Sequence, residues 1–293
     1  MPTIDEKRVY TDTTGTETVY LATGLGVVAV AVSDDLVGEF GIAHRCAARD
    51  VATAGPLVAV ATDEAVLLAD RTESAAADAD GGSTVIAAEA LSFSETGFGP
   101  ATAVGFDDGA LVAGDGDGRV ARLAEPTADA ADGRVAGADA WTGLGTAGAV
   151  RAIDGGLVAA ADGVYRLGSS SLAHAGLDDA RDVAAEPLVA TGSGLYRLGN
   201  GWMDVLDGAV DAVDAAGERA QAVRDGRLYV RVGGAAREWR EEALPVDEPV
   251  AAVAHGVEAA YAVTDAGTVA VRLPDDEWRY RGIGVRDVVA AAV

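Results

Sequence analysis

The chain has 293 residues, 47 of them acidic and 22 basic, for a formal net charge of −25. So acidic a surface argues against nucleic acid, whose phosphates need a basic face, and against anionic membranes. One cysteine, Cys46, leaves no internal disulfide possible, and with no run of about 18 apolar residues no membrane span is expected.

Small side chains dominate the apolar half: Ala, Val, Leu and Gly are abundant and aromatics are only 5%. Such residues suit closely stacked sheets. The acids are dispersed, and Lys7 is the only lysine. That charge would repel itself in dilute buffer, but at molar salt the Debye length is roughly 3 Å and the repulsion is screened. Together these features predict a protein of a very salty cytoplasm. The polar opening Met1-Pro2-Thr3-Ile4-Asp5-Glu6-Lys7-Arg8 lacks the apolar stretch of a signal peptide, which agrees with a cytoplasmic location.

In chain order, residues 1–17 read as an extended arm. Next comes a small-residue apolar strand, a Gly-bearing turn and a second strand, Tyr20-Leu21-Ala22-Thr23-Gly24-Leu25-Gly26-Val27-Val28. The phrase returns over 57–67, 111–120, 157–167, 188–198, 221–230 and 260–271, clearest as Leu188-Val189-Ala190-Thr191-Gly192-Ser193-Gly194-Leu195-Tyr196-Arg197-Leu198. Asp-Gly and Gly-rich turns supply the positive φ of tight hairpins. The flanking runs suit strands buried on both faces. Glu73 to Thr84 is a low-complexity insert that reads as a blade loop. Before each hairpin lies a short strand centred on Val51, Val104, Ile153, Val183, Val213, Val253 or Val288. After most hairpins comes a fourth segment, which carries Trp141, Trp202, Trp239 or Trp278. These tryptophans are expected to cover the blade rims.

Four strands per unit, repeated seven times, predict an all-β, seven-bladed β-propeller with four-stranded antiparallel blades. It spans residues 18–293 as a single domain. The hairpin from Val19 lacks a first strand and Val285-Arg286-Asp287-Val288-Val289-Ala290 lacks a hairpin. One blade is therefore shared between 18–45 and 285–293, and closing the ring this way leaves no open sheet edge.

Three stretches, Glu6-Lys7-Arg8-Val9-Tyr10, Gly38-Glu39-Phe40-Gly41-Ile42-Ala43-His44-Arg45-Cys46 and Gly97-Phe98-Gly99-Pro100, resemble the haloarchaeal β-propeller proteins of uncharacterised function. The resemblance runs the length of the chain. It implies a propeller fold and brings no activity with it.

Aligning the first strands on their central apolar residue puts Arg49, Thr102, Arg151, Arg181, Asp211, Ala251 and Arg286 in one slot. Asp50, Asp182 and Asp287 follow three of the arginines. First strands line a propeller's channel, so Arg49, Arg151, Arg181 and Arg286 would collar one mouth. Such a collar could bind a small anionic ligand or an acidic protein partner. Alternatively, each Arg pairs with an Asp of its own or the next blade and locks the ring. His44, with Cys46, is expected in an inter-blade loop at the same mouth. Gly24-Leu25-Gly26 imitates a dinucleotide fingerprint but sits in a hairpin slot. Asp115-Gly116-Asp117-Gly118 opens like a calcium loop, but Pro126 stands where the bidentate Glu belongs. No catalytic residue, metal site or cofactor is identified. The reading is a non-enzymatic scaffold or anion-binding module at one mouth. The alternative is a metal-dependent, lactonase-like hydrolase with an ion in the channel, which needs several first-strand carboxylates to converge.

Overall fold

The computed structural model describes residues 16–71, 91–128, 136–233, 238–274 and 276–293. Residues 1–15 of the expected arm and the insert at 73–84 lie outside the described residues. Thr16 and Glu17 already belong to a strand.

The strands group into seven four-stranded antiparallel sheets. Blade 1 takes β1 (Thr16–Thr23), β2 (Gly26–Ser33) and β3 (Leu36–His44). Blade 2 is β4 (Ala48–Ala54), β5 (Leu57–Thr62), β6 (Val66–Asp70) and β7 (Ser94–Glu95). Blade 3 is β8 (Ala103–Asp107), β9 (Ala110–Gly114), β10 (Arg119–Leu123) and β11 (Thr142–Thr146). Blade 4 is β12 (Val150–Asp154), β13 (Leu157–Ala160), β14 (Gly163–Leu167) and β15 (Leu172–Gly176). Blade 5 is β16 (Ala180–Ala184), β17 (Leu188–Thr191), β18 (Gly194–Leu198) and β19 (Trp202–Asp207). Blade 6 is β20 (Ala212–Ala216), β21 (Arg219–Arg224), β22 (Arg227–Arg231) and β23 (Trp239–Glu242). Blade 7 is β24 (Val250–His255), β25 (Ala260–Thr264), β26 (Thr268–Arg272) and β27 (Arg279–Gly282). The last strand, β28 (Val288–Ala292), pairs with β1 as the innermost strand of blade 1. Inner strands β28, β4, β8, β12, β16, β20 and β24 touch in turn and close the ring.

The core is divided among the seams between blades. Seven apolar clusters occupy the seven interfaces, from Tyr20, Val27, Val58 and Val60 between blades 1 and 2 to Val19, Val30, Tyr261 and Val269 between blades 7 and 1. Second strands such as β5, β9, β13, β17 and β25 are therefore buried on both faces, which explains the continuous apolar runs. Among the described residues no helix is long and apolar enough to cross a membrane.

Two small residues of the repeat have defined tasks. Thr23, Thr62, Thr191 and Thr264 end second strands and are buried. Thr191 Oγ1 accepts from Gly194 N at 3.1 Å and donates to its carbonyl at 2.9 Å, tying the turn without water. The glycine opening the third strand is a close-approach site. At Gly26, with φ +135, a Cβ would lie 1.9 Å from the His44 carbonyl oxygen. This glycine makes room for the outer strand, so the dinucleotide-like spacing there is architectural.

The tryptophans stand at or just before outer strands and pack into the seam with the preceding blade. Trp202 Nε1 donates to the Ala175 carbonyl of blade 4 at 2.7 Å, and Trp141 Nε1 to the Thr96 carbonyl beside blade 2 at 2.8 Å. They cover the rims, as expected, and also staple neighbouring blades. Replacing Trp202 by Ala should cost about 3 kcal/mol. Replacing it by Phe should cost about 1 kcal/mol, from the carbonyl left without its donor. Equal losses in denaturant melts of the two variants would contradict the staple.

Candidate functional site at one channel mouth

Five of the seven inner strands share a local irregularity that fixes their alignment. In β4, β12, β16 and β24 the pairing slips by one residue, leaving Arg49, Arg151, Arg181 and Ala251 as single-residue bulges. A bulge bends the strand and re-aims its extra side chain, here toward the mouth. In β28 the slip falls at Val289, because Thr23 faces Val288 and Ala22 faces Ala290. The blade 1 counterpart of Arg49 is thus Val289, not Arg286.

That register corrects part of the expected collar. Arg49, Arg151 and Arg181 line a channel cavity of about 360 Å³, together with Asp50 and Asp182. Arg286 and Asp287 precede β28, are exposed and do not line the cavity. Asp287 has φ +57, a turn conformation rather than a strand one. His44 is the last residue of β3, the outermost strand of blade 1, with its ring 5.2 Å from that of Phe93. It too is absent from the cavity wall, and burial holds its imidazole below the ordinary value.

The arginines divide into two kinds. Arg151 donates to Asp179 Oδ1 at 2.6 Å and to the Ala180 carbonyl at 3.0 Å, both at the start of blade 5. Arg181 donates to Asp211 Oδ1 of blade 6 at 2.5 Å and lies 3.5 Å from Asp179. A ladder Arg151–Asp179–Arg181–Asp211 thus crosses three blades. Thr102, in the same slot of blade 3, donates to the Val150 carbonyl of blade 4 at 2.7 Å. Each of these side chains latches onto the next blade. Arg49 is exposed and has no carboxylate partner among the described residues. It borders both the channel and a neighbouring cleft of about 530 Å³. Arg119 also lines that cleft, its guanidinium 3.9 Å from the centre of the Phe98 ring.

Deeper in the channel the aspartates repeat the forward latch. Asp50 accepts from Val51 N at 2.8 Å and from Val104 N of blade 3 at 2.9 Å. Asp182 accepts from Val183 N and from Val213 N of blade 6, both at 2.8 Å. The backbone N–H groups of Gly155 and of Ala185 in blade 5 favour the charged form of Asp154. Asp214 meets Nδ1 of His255 in blade 7 at 2.6 Å. Burial pushes the Asp50 carboxyl up to about 8, against the pull of its two N–H donors, and the charges of Asp182 and Asp154 push the same way. Burial likewise raises Asp182 to about 7 and Asp154 to about 6.

Asp154, Asp214 and His255 are not among the residues singled out from the sequence. Their signal is an acid or imidazole within an apolar inner strand, after the central residue in blades 4 and 6 rather than before it. Chemically, Asp214–His255 has the form of a base and its orienter. The one hydroxyl on the cavity wall, Thr53, donates instead to the Val293 carbonyl at 2.5 Å. Among the described residues no three His, Cys, Asp or Glu side chains are grouped to hold a metal ion.

The model of the HVO_0234-like β-propeller family matches residues 3–293. No curated protein matches the chain. Among solved structures it is similar to the computationally designed Ika8 protein, with TM-score 0.57 and 14% identity over 94% of this chain and 89% of that one. It is similar to the WD40 β-propeller domain of Doa1, with TM-score 0.54 and 15% identity over 80% of this chain and 82% of that one. PorZ of Porphyromonas gingivalis, a surface component of the type-IX secretion system, gives TM-score 0.53 and 13% identity over 84% of this chain and 34% of that one. Identities this low speak for the fold alone. A family match over nearly the whole length is a stronger finding: the chain belongs to the haloarchaeal HVO_0234-like β-propeller family.

Proposed function

We propose that this chain is a non-enzymatic binding module of a salt-rich cytoplasm, holding a carboxylate-bearing partner at the Arg49 sector of one channel mouth. One observation carries the reading. Of the three arginines on the channel wall, Arg49 alone has no carboxylate partner among the described residues, while Arg151 and Arg181 are engaged by Asp179 and Asp211. An exposed guanidinium with no carboxylate partner among the described residues, at the meeting of channel and cleft, suits bidentate capture of a carboxylate. The channel supports a reaction less well. Asp50 and Asp182 are committed to backbone donors of adjacent blades, Asp211 to Arg181 and Asp214 to His255, and the Thr53 hydroxyl is bonded to a main-chain carbonyl.

Citrate, a compact polycarboxylate, is a direct probe. Titrated into the protein in molar KCl, it should bind saturably, and Arg49→Ala should weaken it at least about tenfold, as expected for a charged hydrogen-bonded contact. No saturable binding, or equal binding by parent and variant, would overturn the reading.

A further inference from the structure

The Arg49 sector has a neighbour unlike the rest of the rim. The turns joining second to third strands all lie at this mouth, since each begins where an inner strand begins. In six blades these turns are polar or acidic, with Asp63, Asp115, Asp162, Ser193, Asp225 and Asp265. In blade 1 the turn is Gly24-Leu25, and Leu25 is 58% exposed. The bulge residue of that blade is Val289, on the channel wall and 55% exposed. Two of the few large apolar side chains left open to solvent among the described residues thus share blade 1 and this mouth. Their inner strand β28 adjoins β4, which carries Arg49.

On an acidic protein, exposed Leu25 and Val289 share a blade that adjoins Arg49, which has no carboxylate partner among the described residues, and together they make a mixed surface. One element binds a carboxylate and the other removes an aliphatic side chain from water. Arg49 and Val289 stand at the bulge positions of adjoining inner strands and line the same cavity. We infer that the occupant is the C-terminal residue of a partner polypeptide, with its α-carboxylate on Arg49 and an aliphatic side chain over Val289 and Leu25. The inference rests on the binding reading above and names its partner. A free α-carboxylate beside an apolar side chain is the form in which a polypeptide joins both groups on one residue, and capture of chain ends is a known recognition mode.

Three probes test it by NMR titration in molar KCl: N-acetyl-leucinate, N-acetylglycinate and N-acetyl-leucinamide. Leucinate should bind about tenfold more tightly than glycinate, the gain from partial burial of its added methylene and methyl groups, and leucinamide should not bind. Arg49→Ala should abolish both carboxylates, and Arg286→Ala, at a side chain that does not line the cavity, should abolish neither. Val289→Thr and Leu25→Ser, which add no charge at two exposed positions, should bring leucinate down to the affinity of glycinate and so remove the preference. If glycinate equals leucinate, or the preference survives both substitutions, the inference fails and the binding reading stands. If leucinamide binds as well as leucinate, the carboxylate is not what is read and the inference is overturned. If no carboxylate saturates, the binding reading falls and the inference with it.

Discussion

A chain lacking Val288–Val293 is expected to lose cooperative folding of the whole ring, not of one blade. β28 is the innermost strand of blade 1 and touches the inner strands of blades 7 and 2. Its residues enter two seam clusters, Val288 that of blades 7 and 1, and Ala290 and Ala292 that of blades 1 and 2. Removing it also bares the β1 edge over Tyr20–Thr23, which now pairs with Val288–Ala292. An apolar edge of that kind templates aggregation. Because each seam rests on the two blades beside it, the loss passes round the ring. Urea melts should show a broad, non-cooperative transition with early aggregation. A truncated chain that melts as sharply as the parent, at the same midpoint, would show that closure contributes little.

The second large effect is a dependence on pH that runs opposite to acid denaturation. The folded state holds the Asp50 proton up to about 8, the Asp182 proton to about 7 and the Asp154 proton to about 6. The unfolded chain releases each near the ordinary value of 3.8. Between those limits the folded state binds more protons, so stability falls as pH rises. The contribution is complete below the ordinary carboxylate range and gone once pH passes about 8. On the acid side the exposed ion pairs work the other way. The Arg151 hydrogen bond holds Asp179 below the ordinary value, and the Arg227 hydrogen bond does so for Glu241. Being exposed, they contribute little. Thermal melts in molar KCl should therefore show a fall in stability on the order of a few kcal/mol between about pH 5 and pH 9. Joint replacement Asp50→Asn and Asp182→Asn should flatten the dependence, because the amides do not titrate. It should also lower stability at the acid end, where an amide nitrogen faces one of the backbone donors. A parent that gains stability with rising pH, or a slope unchanged in the double variant, would contradict the channel assignment.

The blades were legible in the sequence because the seams bury both faces of second strands such as β5, β9 and β13. That burial produces the recurring apolar phrase, and the threonine and glycine around each turn are fixed by backbone bonds and close approach. The shared blade was legible for the same reason. The register of its inner strand was not. Arg286-Asp287-Val288 imitates Arg49-Asp50-Val51 and Arg181-Asp182-Val183, yet the bulge falls at Val289. A bulge leaves no mark on residue type, so the alignment went astray by three positions and drew Arg286 and Asp287 into the collar. His44 was placed from its nearness in sequence to Arg49, although the chain crosses from the outermost strand of one blade to the innermost strand of the next between them. The division of the arginines was hidden as well. Asp179 reaches Arg151, and Asp211 reaches Arg181, across the seams, so no sequence spacing separates these arginines from Arg49, which has no carboxylate partner among the described residues.

Arginine at this mouth is proposed to serve in two ways, with Arg151 and Arg181 locking blades and Arg49 binding a partner. Measuring melting temperature and citrate affinity together, for Arg49→Ala and for joint Arg151→Ala and Arg181→Ala, tests this most directly. Arg49→Ala should keep the parent's melting temperature and lose affinity. The joint variant should lose about 1–2 kcal/mol of stability and keep the parent's affinity. Loss of affinity in the joint variant with Arg49→Ala unaffected would contradict this division.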